Sequence, residues 1–183
     1  MQWNDRSVFL MAKTDSGESQ RIWNSVQSWP QTIGSWVVTG DWDVAAWVDA
    51  GSWDQMYDLA AKLRHTKGVV ASSSHWVHKG WKNSGWWWDY PAGAWVWWRD
   101  QHLNGAWKTT QKWKWAVSSV SVPGDWDWVT WVGGKNWDDA WKNVLEFQRP
   151  GWSTMTMVPV KSWWNKSWSK RWWEGNGSAE RSN

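Results

Sequence analysis

The sequence predicts an α+β fold built from two tandem copies of one βαββαβ module. Three observations carry that prediction. Blocks of sequence recur at a fixed offset, each half has the same order of strand-like and helix-like segments, and a four-stranded sheet with both helices on one face leaves its other face to be buried by a partner.

Shifting the chain by 84 residues, the distance from Gly40 to Gly124, lays Gly40-Asp41-Trp42-Asp43 on Gly124-Asp125-Trp126-Asp127. The same register superposes Trp23, Gln27 and Trp29 on Trp107, Gln111 and Trp113, Trp47-Val48 on Trp131-Val132, and Trp53-Asp54 on Trp137-Asp138. Tryptophan is abundant enough to inflate such matches. The Gln27/Gln111, Gly40/Gly124 and aspartate correspondences therefore discriminate best. Gly68 and Gly151 match one residue out of register, a length change that a loop tolerates.

In the first copy, Ser7 to Lys13 is an apolar strand closed by the turn signal Thr14-Asp15-Ser16-Gly17. A helix from about Glu18 to Trp29 places Ile22, Val26 and Trp29 on one face, and Pro30 ends it. Ile33 to Thr39 and Trp42 to Asp49 form a hairpin around Gly40-Asp41, where a positive φ is needed. Ser52 caps a second helix that reaches about Arg64, with Trp53, Met56, Tyr57, Ala60 and Leu63 as its apolar stripe. Lys67-Gly68 stops that helix, and Val69 to Val77 is the fourth strand.

The second copy repeats this grammar with strand 94–98, a helix within 103–113 weakened by Gly105, strands 115–122 and 126–132, a helix over 136–147 and a strand over 152–160. The expected units are residues 1–80, a Gly-, Asn- and Ser-marked linker 81–91, a second module 92–162 and a Trp- and Lys-rich tail 163–183 with a disordered end.

Composition excludes several functions. With no cysteine there are no disulfides, thiolate metal sites or cysteine nucleophiles. Twenty Lys and Arg against 17 Asp and Glu leave a formal charge of +3, too small to imply nucleic acid. Neither a signal peptide nor an 18-residue apolar run is present, so the expected setting is soluble and cytoplasmic, without a membrane span. The 29 Trp beside 2 Tyr and 2 Phe are unusual. Many, such as Trp36, Trp47, Trp131 and Trp141, occupy positions where Leu, Ile, Val or Phe is ordinary, so the pattern of large apolar positions tells more than their identities. Each buried indole must also find an acceptor for its N–H.

The stretch Val38-Thr39-Gly40-Asp41-Trp42-Asp43, together with Lys67-Gly68-Val69 and the serine-rich strand through Ser72, Ser73 and Ser74, resembles the effector-binding (RAM) domain of Lrp/AsnC regulators. Lys67 replaces that family's usual proline, whereas Arg149-Pro150-Gly151 keeps it. The resemblance is good over about residues 7–80 and looser over 91–161. It implies ferredoxin-like modules paired as an internal dimeric α/β barrel, further oligomerisation, and a small amino-acid-like ligand near the interfaces. The family's helix-turn-helix is not expected, because only Met1 to Arg6 precede the first strand.

The ligand-binding candidates are Gly40, Asp41, Trp42, Asp43, Ser72 and Ser74, with Gly124, Asp125, Trp126, Asp127, Thr154 and Thr156 in the second copy. Carboxylates at a hairpin near an interface can hold a ligand amine, and alternating hydroxyls share one strand face. The competing reading is that Gly-Asp only makes the turn and the hydroxyls face solvent. No catalytic residue, metal site or cofactor is expected. His75 and His78, three apart on a strand, fall on opposite faces, and no phosphate loop or Ser-His-Asp order is present. Alternatives to a ligand-binding module are a dimeric α/β-barrel enzyme of haem or monooxygenase type and a structural subunit of a larger assembly. Basic residues interleaved with Trp163, Trp164, Trp168, Trp172 and Trp173 suit stacking on single-stranded nucleic acid, a membrane surface, or packing of the tail on its own module or a neighbour.

Overall fold

The computed structural model describes residues 6–78, 80–82, 90–101 and 105–167. The centre of the expected linker, His102, and the end of the tail with Trp168, Trp172 and Trp173 lie outside these residues.

The first half runs β1 (Ser7–Thr14), α1 (Ser19–Gln27), β2 (Thr32–Thr39), β3 (Val44–Asp49), α2 (Trp53–Arg64) and β4 (Val69–Trp76). A short β5 (Gly80–Lys82) leads to β6 (Ala92–Asp100), α3 (Ala106–Thr110), β7 (Ala116–Ser121), β8 (Trp128–Gly134), α4 (Trp137–Leu145) and β9 (Trp152–Trp164). All nine strands among the described residues belong to one sheet, in the order β4-β1-β3-β2-β9-β6-β8-β7-β5. The two halves have matching internal orders and are joined where β2 pairs with β9.

This topology forces the sheet to curl. Strands β4 and β5 lie at opposite ends of the order, yet only residues 77–79 connect them. That span reaches at most about 14 Å, whereas nine flat strands would be about 38 Å across. The chain leaving β4 therefore crosses to the far end, where His78 N–H donates to the Ser121 carbonyl at 2.9 Å and Gly80 pairs with Val120.

Curling makes one face of the sheet an inside. Phe9, Met11, Trp36, Trp47 and Val77 from the first half share a buried cluster with Trp95, Trp97, Val129, Trp131 and Met157 from the second. Phe9 bridges the halves, stacking on Trp47 at 5.5 Å and meeting the edges of Trp95 at 5.5 Å and Trp97 at 5.7 Å. Registers correspond as well: Phe9 pairs with Trp47 on β1 and β3, and Trp95 with Trp131 on β6 and β8. The outer face packs Val8, Leu10, Ile22, Val26, Met56 and Leu63 in the first half, and Ala94, Val96, Trp98, Val144 and Phe147 in the second.

Local chemistry sets the helix starts. The Ser52 hydroxyl accepts from Gln55 N–H at 3.3 Å, and the Asn136 side chain accepts from Asp139 N–H at 2.9 Å, each satisfying a first-turn donor. Ile22, Val26 and Trp29 are buried as the spacing predicts.

Four features differ from expectation. On α2 the buried stripe is Met56, Leu59 and Leu63, while Trp53 and Tyr57 are 56 % and 67 % exposed. Trp53 instead meets the ring of Trp76 on β4 edge-on, with ring centres 4.5 Å apart. Helix α3 has only five residues and starts after Gly105, whose φ of 75° at the N-cap is not helical. Part of the expected linker pairs as β5, and β9 runs on to Trp164, so Trp163 and Trp164 pair with Ser35 and Gly34 rather than starting a tail.

Candidate functional site

Both Gly-Asp-Trp-Asp hairpins are built the same way. In the first, Val38 N–H donates to the Asp43 carbonyl at 2.9 Å, and Gly40 at φ 125° makes the reversal. Asp43 then turns back onto its own half: Oδ2 accepts from Thr14 N–H at 2.7 Å and from the Thr14 hydroxyl at 3.2 Å. In the second, Val122 N–H donates to the Asp127 carbonyl at 2.9 Å, Gly124 has φ 142°, and Asp127 Oδ2 accepts from Asp100 N–H at 3.1 Å. The second aspartate of each motif braces the hairpin against the end of β1 or β6. The first, Asp41 or Asp125, is exposed. Trp42 and Trp126 are half-buried and pack against the inner cluster.

Each hairpin also seats on the last strand of the other half. A β-carbon on Gly40 would lie 3.0 Å from the Thr156 carbonyl oxygen of β9, and one on Gly124 would lie 3.9 Å from His75 Nδ1 of β4. The candidates are thus brought together across the halves, Gly40 with Thr156 and the Gly124 hairpin with the Ser74 region.

Strand register decides which way the hydroxyls face. Ser72 and Ser74 pair with Ala12 and Leu10, which belong to the helix-side core, while Ser73 and His75 pair with Met11 and Phe9 of the inner cluster. Thr154 and Thr156 pair with Trp98 and Val96, again on the helix side. All four expected hydroxyls therefore lie on the outer face, and Ser73 and His75 look inward.

On the outer face a cavity of about 230 Å³ is lined by Val8, Met56, Tyr57, Ala60, Ser74, Trp76 and Pro123. Strand β1, helix α2 and strand β4 of the first half form its floor and walls, and the second half contributes Pro123, the residue before Gly124. Of the sequence candidates only Ser74 lines it. Tyr57 was expected in the buried stripe; Trp76 and Pro123 flank recognised motifs and carry no signal of their own.

On the inner face His75 is 6 % exposed, its Nε2 lies 2.8 Å from the Ser73 hydroxyl, and its ring centre is 4.9 Å from that of Trp97. Burial lowers its pKa from the ordinary 6.5, and the nearby Asp125 carboxylate offsets part of that shift. The alternation Ser73-x-His75 on a strand was the signal that could have placed both on one face. Among the described residues, no group of three His, Asp or Glu is placed to hold a metal ion. Nor is any helix among them long and apolar enough to cross a membrane.

Residues 7–87 match the family model of the Lrp/AsnC ligand-binding domain. No curated protein sequence matches the chain. Among solved structures, the siroheme decarboxylase NirDL aligns over 94% of this chain and 80% of its own, with a TM-score of 0.62 and 9% identity. An anthrone oxidase-like protein aligns over 90% and 95%, with a TM-score of 0.54 and 10% identity. A mutant chlorite dismutase from Candidatus Nitrospira defluvii in complex with cyanide aligns over 85% and 90%, with a TM-score of 0.52 and 12% identity. Identities this low speak to fold alone: the chain shares an α+β architecture with these proteins, and its first half carries the sequence pattern of a ligand-binding domain.

Proposed function

We propose that this chain is a small-molecule-binding and oligomerisation module of the Lrp/AsnC effector type, in which two fused βαββαβ units form an internal pseudo-dimer arranged as a dimeric α/β barrel. The observation that carries the reading is the approach of the Gly124 hairpin to β4, beside a cavity lined by β1, α2 and β4 of the first half and by Pro123 of the second. Ligand pockets favour such junctions, where two rigid units supply opposite walls. The recurring strand order and the matched Phe9–Trp47 and Trp95–Trp131 pairs support the pseudo-dimer.

Native mass spectrometry of protein isolated from its source tests this reading. A small-molecule adduct on a discrete oligomer supports it, provided the adduct is lost in a folded Ala60→Trp variant whose indole fills the cavity. A bare chain bound to a fixed protein partner points instead to a structural subunit.

A second reading, a barrel enzyme, is favoured by the buried His75 beside Ser73 and by the fold shared with enzymes. The residues present do not fit a haem macrocycle in this arrangement, because His75 Nε2 is engaged by Ser73 and its ring is covered by Trp97. A haem titration followed by absorbance, on the wild type and on His75→Ala, tests that reading: a His75-dependent Soret band would revive it.

A further inference from the structure

The cavity at the Gly124 hairpin has a chemistry that narrows its ligand, and this step rests on the ligand-binding reading above. None of its seven lining residues carries a charge. Its hydrogen-bonding side-chain groups are the Ser74 and Tyr57 hydroxyls and the Trp76 indole N–H, none of them charged. The remaining walls are aliphatic, thioether or ring: Val8, Met56, Ala60, Trp76 and Pro123. Trp76 is 37 % exposed and its ring is fixed edge-on by Trp53 at 4.5 Å, while Tyr57 on α2 is 67 % exposed. Pro123 offers a flat, rigid face from the other half. Met56 lies beneath, a soft side chain that adapts to rings.

A free amino acid would bring an ammonium and a carboxylate into this lining. Removing such ions from water is unfavourable unless each gains an opposite charge or several hydrogen bonds, and a lining of two hydroxyls and one indole N–H supplies no opposite charge for either. A planar ring meets no such obstacle, since ring-on-ring and ring-on-proline contact is what the walls provide. The size agrees: about 230 Å³ is below the 300 to 1,000 Å³ typical of drug-sized ligands, which leaves room for a one- or two-ring compound.

We infer that this cavity binds an uncharged, planar aromatic compound carrying a single hydrogen-bonding group, which Ser74 or Tyr57 would meet, and that it discriminates against zwitterionic amino acids.

The test is isothermal titration of the full chain with indole and, separately, with L-tryptophan, which presents the same ring on a zwitterion. Indole is expected to bind at least about tenfold more tightly than L-tryptophan. Tyr57→Ala should weaken indole roughly threefold to tenfold through loss of ring contact, and a folded Ala60→Trp should abolish its binding. Equal or tighter binding of L-tryptophan, lost in Ala60→Trp, would overturn the inference while leaving the ligand-binding reading intact. Indole binding that survives Ala60→Trp would overturn the assignment to this cavity. Binding of neither probe, with no adduct on the source protein, would remove both this inference and the function it rests on.

Discussion

Asp43 holds Thr14 by two hydrogen bonds, from the backbone N–H at 2.7 Å and the hydroxyl at 3.2 Å, and so ties the β2–β3 hairpin to the end of β1. Asp41, two residues earlier, is exposed. Replacing Asp43 by Ala leaves the part-buried Thr14 N–H without its acceptor, a loss of about 1–3 kcal/mol. Asp41→Ala is expected to stay within about 0.5 kcal/mol of wild type. Urea denaturation of the two variants measures the difference, and equal effects would contradict the bracing role.

Gly40 and Gly17 both have positive φ, 125° and 83°, but only Gly40 is crowded. A β-carbon there meets the Thr156 carbonyl oxygen at 3.0 Å, whereas none of the described residues lies within 4 Å of one on Gly17. Alanine costs about 1 kcal/mol at either site through backbone strain. At Gly40 the hairpin must also lift from β9, so Gly40→Ala is expected to exceed Gly17→Ala by about 1 kcal/mol or more. Faster amide exchange along the β2–β9 pairing in Gly40→Ala alone would locate the damage at that junction.

The hairpins and the Ser52 cap are readable from sequence because they depend on local chemistry: a glycine free to take positive φ, and a hydroxyl one residue before a helix. The inward face of α1 follows equally well from the spacing of Ile22, Val26 and Trp29. What the chain does not display locally is register. Whether Ser72 or Ser73 looks into the shared core depends on pairing with Ala12 or Met11, some 60 residues away. The same holds for β9, whose last residues read as a tail until Ser35 and Gly34 of the other half supply partners for Trp163 and Trp164. The cavity is invisible for that reason too, since Pro123 and Tyr57 come from different halves.

His75 makes stability depend on pH. Burial lowers its pKa below 6.5, with Asp125 opposing in part. As pH falls below 6.5 the unfolded chain takes up a proton that the native state resists, so the contribution of neutral His75 is fully present above 6.5, declines through the window between 6.5 and the native value, and levels off below it. His75→Gln should flatten this part of the profile, and Asp125→Asn should steepen it by removing the compensating charge. Urea midpoints from roughly pH 5 to 8 test the sign. A wild-type profile that rises as pH falls across this window would rule it out.

Trp97 and Trp98 are neighbours on β6, both 0 % exposed, on opposite faces of the sheet, and their indole N–H groups are satisfied differently. The Trp98 indole N–H donates to the Thr130 hydroxyl at 2.8 Å, while the Trp97 N–H, on the inner face, has no acceptor among the described residues. Exchanging either for Phe removes a similar volume from a packed core, so the cavity penalties are comparable. The polar terms have opposite signs. Trp98→Phe gives up a bond worth about 0.5–1.5 kcal/mol, whereas Trp97→Phe removes a buried orphan donor that costs the native state about 1–3 kcal/mol. Trp98→Phe is therefore expected to be the more destabilising of the two by roughly 1.5–4.5 kcal/mol. If chemical denaturation shows Trp97→Phe costing as much as Trp98→Phe, the inner N–H has an acceptor in solution, such as a buried water.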